Sequence, residues 1–432
     1  MRATSSRALL ALTLATGLAA AFPTAFAADA AAPAASQPAN AVRPAFAGPF
    51  NAAQELLKAG NGAGALAKLK ELDAAVPDQT PYEKYLVLRV RAPAEYTIND
   101  FNAALADFEA TISNPLLPAD DKPILMKTVA SIYYSSEQYA KAAQAIQRYL
   151  DAGGNDPQVR ELLPQAQYAA KDYAAAAKSF RAAVDATYAA GHVPSEKLLR
   201  LEYSSYMGLK DDAGVVHAME HLAVSYPKAD YWRDLIPRIR EVDNFSDRLV
   251  LDYYRLKVQV LGRVDDRERV NYAALAARAG YPGEAKKVLD DAAANKPFTG
   301  ADLADANKLR PEINKAAAAD VAQQAANETS ARSAKDGNAL VSQGLLESVN
   351  DNAAKGAQLI EQGIAKGGLK QPEDAKLHLG YAQARAGRDA DAVKTFQSVT
   401  GANGQAAIAH VWILYLQSKQ AAAAAPAAAA SH

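Results

Sequence analysis

The chain has 432 residues, half of them hydrophobic, and a formal net charge of −1. Its 47 Lys and Arg against 48 Asp and Glu argue against a nucleic-acid-binding protein, which needs a basic face. It has no cysteine, so we expect no disulfide, no thiolate metal site and no lipid attachment of the lipoprotein kind. The abundance of alanine favours closely packed helices over sheets.

The first residues have the pattern of a secretory signal peptide. Arg2 and Arg7 supply positive charge, residues 8–21 are apolar, and Ala25-Phe26-Ala27 is a small-x-small cleavage site. The apolar run is shorter than the roughly 20 residues that a membrane span requires. We therefore predict a signal peptide over 1–27, cleavage after Ala27, a periplasmic or secreted protein that does not span the membrane, and an Ala/Pro-rich linker over 28–45.

Beyond the linker, the sequence repeats with the period of a two-helix unit. Tyr139 and Tyr173 lie 34 residues apart, and Gly344 and Gly380 lie 36 apart. Periods of this length are typical of stacked helical repeats.

Each unit also has a fixed internal spacing: a small residue, a second small residue 12 positions later, and a bulky apolar residue 4 positions after that. Two antiparallel helices cross closely where both side chains are small, and the apolar residue fills the space beside the crossing. Pro77, Pro227 and Pro297 follow the second small position and predict the end of the second helix. The sets are Ala53/Ala65/Leu69, Ala130/Ala142/Ile146, Ala273/Ala285/Leu289, Gly344/Gly356/Ile360 and Gly380/Ala392/Phe396.

In chain order, we expect N-terminal repeats over 46–229, with an insertion around Pro93. Residues 230–335 are predicted to form degenerate repeats and a long polar helix broken at Pro311. C-terminal repeats follow over 336–419, and a disordered alanine-rich tail over 420–432. In total we expect seven recognisable repeats and one or two degenerate ones.

The segments 171–180 and 379–396 resemble tetratricopeptide repeats, because the Leu379-Gly380 pair, the Gly before the turn, the second small residue and the aromatic residue fall in register. The stretches 364–370 and 374–380 are also similar to secreted repeat proteins of proteobacteria. The resemblance implies an all-α fold, a right-handed α-solenoid of antiparallel helix pairs. It also implies a scaffold that binds protein partners, with no catalytic residues and no cofactor.

In this family the first helix of each pair lines a concave groove. The position after the first small residue, and those one turn before and after it, are exposed there. Since Tyr, Arg and Met are enriched at recognition surfaces, we take these positions as the candidate partner-binding groove. A solvated helix face is the alternative interpretation. The positions are Lys127, Ser131, Tyr134, Glu161, Gln165, Tyr168, Arg200, Ser204, Met207, Arg278, Tyr381 and Arg385.

Some members of the family hold a C-terminal carboxylate with a Lys/Asn/Arg cluster. Here the asparagines are missing, and Glu161 has the wrong sign, so we do not transfer that activity.

His217, Glu220 and His221 match the H-x-x-E-H pattern of zinc proteases. Two His residues four apart on a helix share one face, and Glu241 or Asp243 would supply the third ligand. The alternative is that all three lie on the solvated face of a second repeat helix, beside the apolar stripe. We favour that reading and expect no metal site.

The leading hypothesis is an envelope scaffold that binds a protein or peptide partner in its groove, with self-association through open terminal repeats as a further expectation. The alternatives are a zinc-dependent hydrolase using His217, Glu220 and His221, and a structural component of an envelope export assembly.

Overall fold

The structure is a computed structural model that describes residues 40–291 and 297–429. The predicted signal peptide and most of the predicted linker lie outside these residues. The chain divides into two compact units, each treated by itself below. Unit 1 comprises residues 1–186 and 204–211, and unit 2 comprises residues 187–203 and 212–432.

In the part of the chain that the structure describes, 20 α-helices and three short 3₁₀ turns occur. None of these helices has both the length and the apolar character needed to cross a bilayer. The helices of the first half are α1 Pro44–Lys58, α2 Gly62–Ala75, α3 Pro81–Thr97, α4 Phe101–Ile112, α5 Lys122–Ser135, α6 Tyr139–Asp151, α7 Pro157–Ala169, α8 Tyr173–Ala189 and α9 Glu196–Leu209. Those of the second half are α10 Asp212–Ser225, α11 Ala229–Leu235, α12 Val250–Leu261, α13 Asp266–Arg278, α14 Pro282–Asp290, α15 Gly300–Ser333, α16 Asn338–Val349, α17 Ala353–Lys366, α18 Pro372–Arg385, α19 Asp389–Gln397 and α20 Gln405–Ala429.

The predicted small-residue crossings are confirmed. All members of the five sets are buried. The crossing of α16 and α17 is the tightest: a Cβ added at Gly344 would lie 2.6 Å from the carbonyl oxygen of Gly356, and one added at Gly356 would lie 2.4 Å from that of Gly344. No side chain fits between these two backbones, so the spacing read from the sequence reports true helix contacts.

Eight helix pairs share a turn in which the first helix ends at a residue with positive φ. In α5, for example, the N–H of Gln138 donates to the carbonyl of Tyr133 at 2.9 Å and that of Glu137 to Tyr134 at 3.1 Å. This is the Schellman arrangement, which satisfies the last carbonyls of the helix. The eight turn residues are Gly60, Asn99, Glu137, Lys171, Lys210, Gly280, Asp351 and Gly387.

Proline positions corrected two expectations. Pro93 lies inside α3, so the expected insertion there is wrong. Pro311 lies inside α15, which runs unbroken over 34 residues, so the expected break is also wrong. Proline removes one backbone hydrogen bond, and the remaining bonds of a long helix can hold it together across the gap.

The prediction of a disordered tail from residue 420 also differs from the structure, because α20 extends to Ala429. The high helix propensity of alanine explains this continuation.

Unit 2 closes upon itself. Helix α20 packs on α18 and α19, which precede it, and also on α10 and α12 from the start of the unit. The ring of Trp412 stacks on Phe396 with centroids 5.6 Å apart, and Tyr415 meets Trp232 edge-on at 6.2 Å. An open array, in which each repeat touches only its neighbours, is therefore not what this unit forms.

Candidate functional site

The first-helix face of α5 and α7 in unit 1 keeps the predicted pattern. Ser131 and Tyr134 on α5 recur 34 residues later as Gln165 and Tyr168 on α7, and all four side chains are partly exposed. Position 131 directly follows buried Ala130, so the next turn of the helix brings residue 134 to the same side. We call these four residues the tyrosine face.

Each tyrosine of this face packs against a second aromatic ring across the turn of its pair. Tyr134 meets Tyr139 edge-on with centroids 5.5 Å apart, and Tyr168 meets Tyr173 in the same way at 5.5 Å. Edge-to-face contacts of this kind hold aromatic rings in place. The rings of Tyr134 and Tyr168 are thus held in place by contacts within unit 1. Two tyrosines separated by four residues were the sequence signal for this ring contact, which the sequence did not lead us to predict.

The hydroxyl groups of the face keep hydrogen-bonding capacity. Among the described residues, the hydroxyls of Ser131, Tyr134 and Tyr168 have no hydrogen-bond partner. Burial raises the pKa of Tyr134, so its hydroxyl stays protonated and able to donate at neutral pH. The face offers rigid rings with free polar tips.

The charged side chains predicted to line the face mostly form ion pairs within the protein. Lys127 forms an ion pair with Asp156, which precedes α7, and this lowers the pKa of Asp156. One repeat earlier, Arg89 pairs with Asp121 at 3.0 Å in the equivalent position before α5. Glu161 is exposed. The basic side chain expected to bind a partner instead joins successive repeats.

The remaining predicted positions fare differently. Met207 is 51% exposed and Ser204 is half-buried, while Arg200 and Arg278 are exposed. Arg385 is also exposed and pairs with Asp351 at 3.0 Å.

Tyr381 is buried, with 9% of its surface exposed, so its expected place on an open groove is wrong. The edge of Trp412 lies against it at 5.9 Å, and the guanidinium of Arg255 lies 5.9 Å from its ring centroid. In this part of unit 2, α12 and α20 occupy the space that a partner would need.

Arg255 is the centre of a buried ionic network that sequence reasoning missed. It donates two hydrogen bonds of 2.8 Å to Glu284 and one of 2.8 Å to Asp252. Asp252 also meets Nε2 of His378 at 3.2 Å, and the hydroxyl of Tyr272 donates to Glu284 at 2.7 Å. Burial opposes ionisation of Asp252, but His378 and Arg255 outweigh it and lower the pKa of Asp252 to about 2. The network joins α12 to α13, α14 and α18.

The H-x-x-E-H stretch is built as ion pairs. Nε2 of His410 on α20 contacts Glu220 at 2.9 Å, and Nδ1 of His217 lies 3.8 Å from the same carboxylate. Nδ1 of His221 lies 3.4 Å from buried Glu202. Burial opposes ionisation of Glu220, but the neighbouring His217 and His410 lower its pKa to about 2.

The expectation of a solvated face is wrong for Glu220 and His221, whose side chains are 17% and 19% exposed, whereas His217 keeps 37% of its side chain exposed. No group of three or more metal-ligating side chains with suitable geometry occurs within residues 40–291 and 297–429. The residues offered as a third ligand are exposed, and Glu241 pairs with Arg238 at 3.0 Å.

The small-residue crossings and the left-handed turns describe one type of repeat. Its helix pairs are tetratricopeptide-like. No family model and no curated protein sequence matches the chain.

Several solved structures are similar in fold. A tetratricopeptide repeat protein from Parabacteroides merdae matches 78% of this chain and 99% of its own, at 12% identity and a TM-score of 0.29. The P58(IPK) TPR domain matches 87% of this chain and 99% of its own, at 11% identity and a TM-score of 0.22. A chain of the Naa15/Naa10 complex bound to HypK-THB matches 82% of this chain and 63% of its own, at 13% identity and a TM-score of 0.24. These superpositions are loose, so the assignment rests on the repeat geometry of the chain itself.

Proposed function

We propose that this chain is a scaffold of the bacterial cell envelope that binds a protein partner through the tyrosine face. The observation that carries the proposal is the exact recurrence of a pre-organised tyrosine and a neighbouring polar side chain on α5 and α7. Tyrosine is enriched at binding surfaces because it brings a large contact area at a low cost in conformational entropy. Its rigid placement here reduces that cost further.

The partner we favour is an extended peptide segment. Two equivalent sites on successive first helices suit a ligand that repeats its contacts along its length. The unpaired hydroxyls of the tyrosine face suit hydrogen bonding to a peptide backbone, and the charges of Lys127 and Arg89 are already neutralised within unit 1. Shape and hydrogen bonding therefore dominate recognition, and we expect binding to depend weakly on salt.

Site-specific crosslinking tests the surface. A photo-reactive residue at position 131 or 165 should capture one defined partner in living cells, and the same residue at exposed Gln144 on α6 should not. The double variant S131R/Q165R should abolish capture by a photo-reactive residue at exposed Glu161, because it places bulky charge on the face without altering the aromatic pairs. The matched control Q144R/A174R, on exposed positions of the second helices α6 and α8, should retain it. Equal capture by both double variants would contradict the proposal.

The envelope location rests on Arg2, Arg7, the apolar segment and the Ala25-Phe26-Ala27 site. Osmotic-shock fractionation followed by N-terminal sequencing tests it. We expect a mature chain that begins at Ala28 in the periplasmic fraction. A chain that retains residues 1–27 in the cytoplasm would refute this location without bearing on the tyrosine face.

A further inference from the structure

Unit 2 contains a cleft of about 460 Å³ between α14, α15 and the turn that joins α16 to α17. Its volume falls in the range of small-molecule sites. One wall is a stripe of α15 formed by Ala317, Asp320, Val321 and Gln324, which share a side because their spacings of three and four match the helical repeat. The cleft is separate from the tyrosine face, which belongs to unit 1.

The charges that line the cleft are unequal. Lys286 and Lys287 face three carboxylates, those of Asp290, Asp320 and Glu347, so the lining carries a formal charge of +2 − 3 = −1. Arg310, Lys355 and Asp351 pair with groups of this lining, so Coulomb attraction for a cation is confined to the neighbourhood of Asp320.

Four of the five charged groups already have partners. Lys286 pairs with Asp290, and Lys287 pairs with Asp351 at 2.6 Å. Glu347 accepts from Gln324 at 2.7 Å and from Lys355 at 3.0 Å. These contacts leave Asp320 as the unmatched charge of the lining.

The position of Asp320 is unfavourable for the stability of the free protein. Its Oδ2 is shielded from solvent and has no hydrogen-bond partner among the described residues. Burial raises its pKa, because the charged carboxylate is less well solvated here than in water. An unpaired carboxylate in such surroundings is costly unless something binds to it.

Apolar surface lies directly beside this carboxylate. Val321 is 72% exposed, although it is a large hydrophobic residue, and Ala317 lies one turn before it on the same stripe. A carboxylate next to an apolar strip matches a ligand with a positive head and a methylene stem. Aliphatic ammonium groups have this combination.

We propose that this cleft binds an alkylammonium group, with its nitrogen at Asp320 and its methylene chain along Val321. The group comes either from a free aliphatic amine or from a lysine side chain of a partner protein. Both sources present the same chemistry to the cleft.

Isothermal titration calorimetry on the full chain tests the proposal with three probes. Cadaverine represents a free amine, Nα-acetyl-lysine amide represents a lysine side chain, and 1,5-pentanediol is a neutral analogue of cadaverine. We expect saturable binding of at least one of the two amines and none of the diol. Tighter binding of cadaverine assigns the site to free amines, and tighter binding of the lysine amide assigns it to a partner's lysine. Failure of both amines to bind would overturn the proposal.

Substitutions test whether Asp320 itself contributes to amine binding. The substitution D320N should weaken amine binding by at least about tenfold and should raise the thermal stability of the free protein, because it removes an unmatched charge. The control E312Q removes one charge from an exposed position of the same helix and should change neither quantity.

The variant V321S removes apolar surface from an exposed position and should weaken binding by about threefold without affecting folding. Amine binding that survives in D320N at full strength would also overturn the proposal.

Discussion

At the scale of single residues, Arg255 is the centre of the buried ionic network of unit 2. Its side chain is 2% exposed, and it neutralises Asp252 and Glu284 at once while its guanidinium lies 4.9 Å from the ring centroid of Tyr281. A buried ion network of this kind stabilises a protein little more than a well-packed apolar core would. Removing only one member of the network is costly, because the remaining charges stay buried without partners. Arg255 therefore keeps the buried charges of α12 and α14 paired.

We predict that R255L lowers the free energy of unfolding by about 3–5 kcal/mol, because it leaves Glu284 without a charged partner and Asp252 with His378 alone. Urea denaturation followed by circular dichroism measures the change. R255K should be intermediate, since lysine keeps the charge but cannot form the two parallel bonds to Glu284. The exposed Arg233, paired with Asp230 at 2.6 Å, is the control, and R233L should have little effect. An R255L protein as stable as the wild type would contradict this account.

At the scale of helices, α20 is fastened to α10 by the pair of His410 and Glu220. The pKa of His410 is raised, first by its hydrogen bond to Glu220, so this pair stabilises the docked helix fully below the ordinary histidine value of 6.5. That stabilisation is lost as pH rises through the raised value. The pKa of Glu220 is lowered from 4.5 to about 2, so its contribution is present above 4.5 and is lost as pH falls toward 2. The contact is strongest in mildly acidic solution.

We predict that the wild type loses thermal stability as pH rises from about 6.5 to 8, and that H410Q does not show this loss. Glutamine can still donate to Glu220, but it does not titrate. E220Q should in turn remove the decline on the acid side. Hydrogen exchange in α20 across the pH range measures both effects. An unchanged pH profile in H410Q would exclude this pair as the titrating contact.

The sequence predicted the helices and their pairing well, because a small-residue crossing such as Gly344 with Gly356 leaves a local, periodic pattern. It predicted two tyrosines of the candidate face for the same reason. It did not predict the partners of Arg255 or the burial of Tyr381. Glu284 lies 29 residues from Arg255, on α14, and the contact of Asp252 with His378 joins α12 to α18 across 126 residues, so no repeat spacing encodes these contacts. The predictions made from Pro93 and Pro311 were wrong because packing and the flanking hydrogen bonds keep a helix continuous when one backbone hydrogen bond is missing.

At the scale of the whole chain, the two units differ in how far apart in sequence their contacting segments lie. In unit 1, helices α1 to α7 contact near neighbours in sequence. In unit 2, the backbone N–H of Ser246 donates to the carbonyl of Asn403 at 3.0 Å, and Phe245 packs against Gly404. The expected open C-terminal edge is therefore covered by α20, which leaves Phe396 and Trp412 buried.

We predict that a chain ending at Gly404 loses cooperative unfolding of unit 2, because Phe396 and Trp232 lose the helix that covers them. A chain ending at Gln420 should unfold like the full-length protein, since it keeps every buried residue of α20 that the structure describes. Thermal melting followed by circular dichroism reports the difference, because the helices of unit 2 before α20 are present in both chains. Identical melting of the two truncated chains would contradict the closing role of α20.

Closure by the last helix also sets the order in which unit 2 can fold. A stack whose members touch only their neighbours gains stability with each repeat that leaves the ribosome. Unit 2 must instead bring His410 to Glu220 across 190 residues before its core is complete. Contacts so distant in sequence impose a large loop-closure entropy and slow folding. Its native state is thus reached only after α20 has been synthesised, and until then the first helices of the unit are exposed to proteases and chaperones.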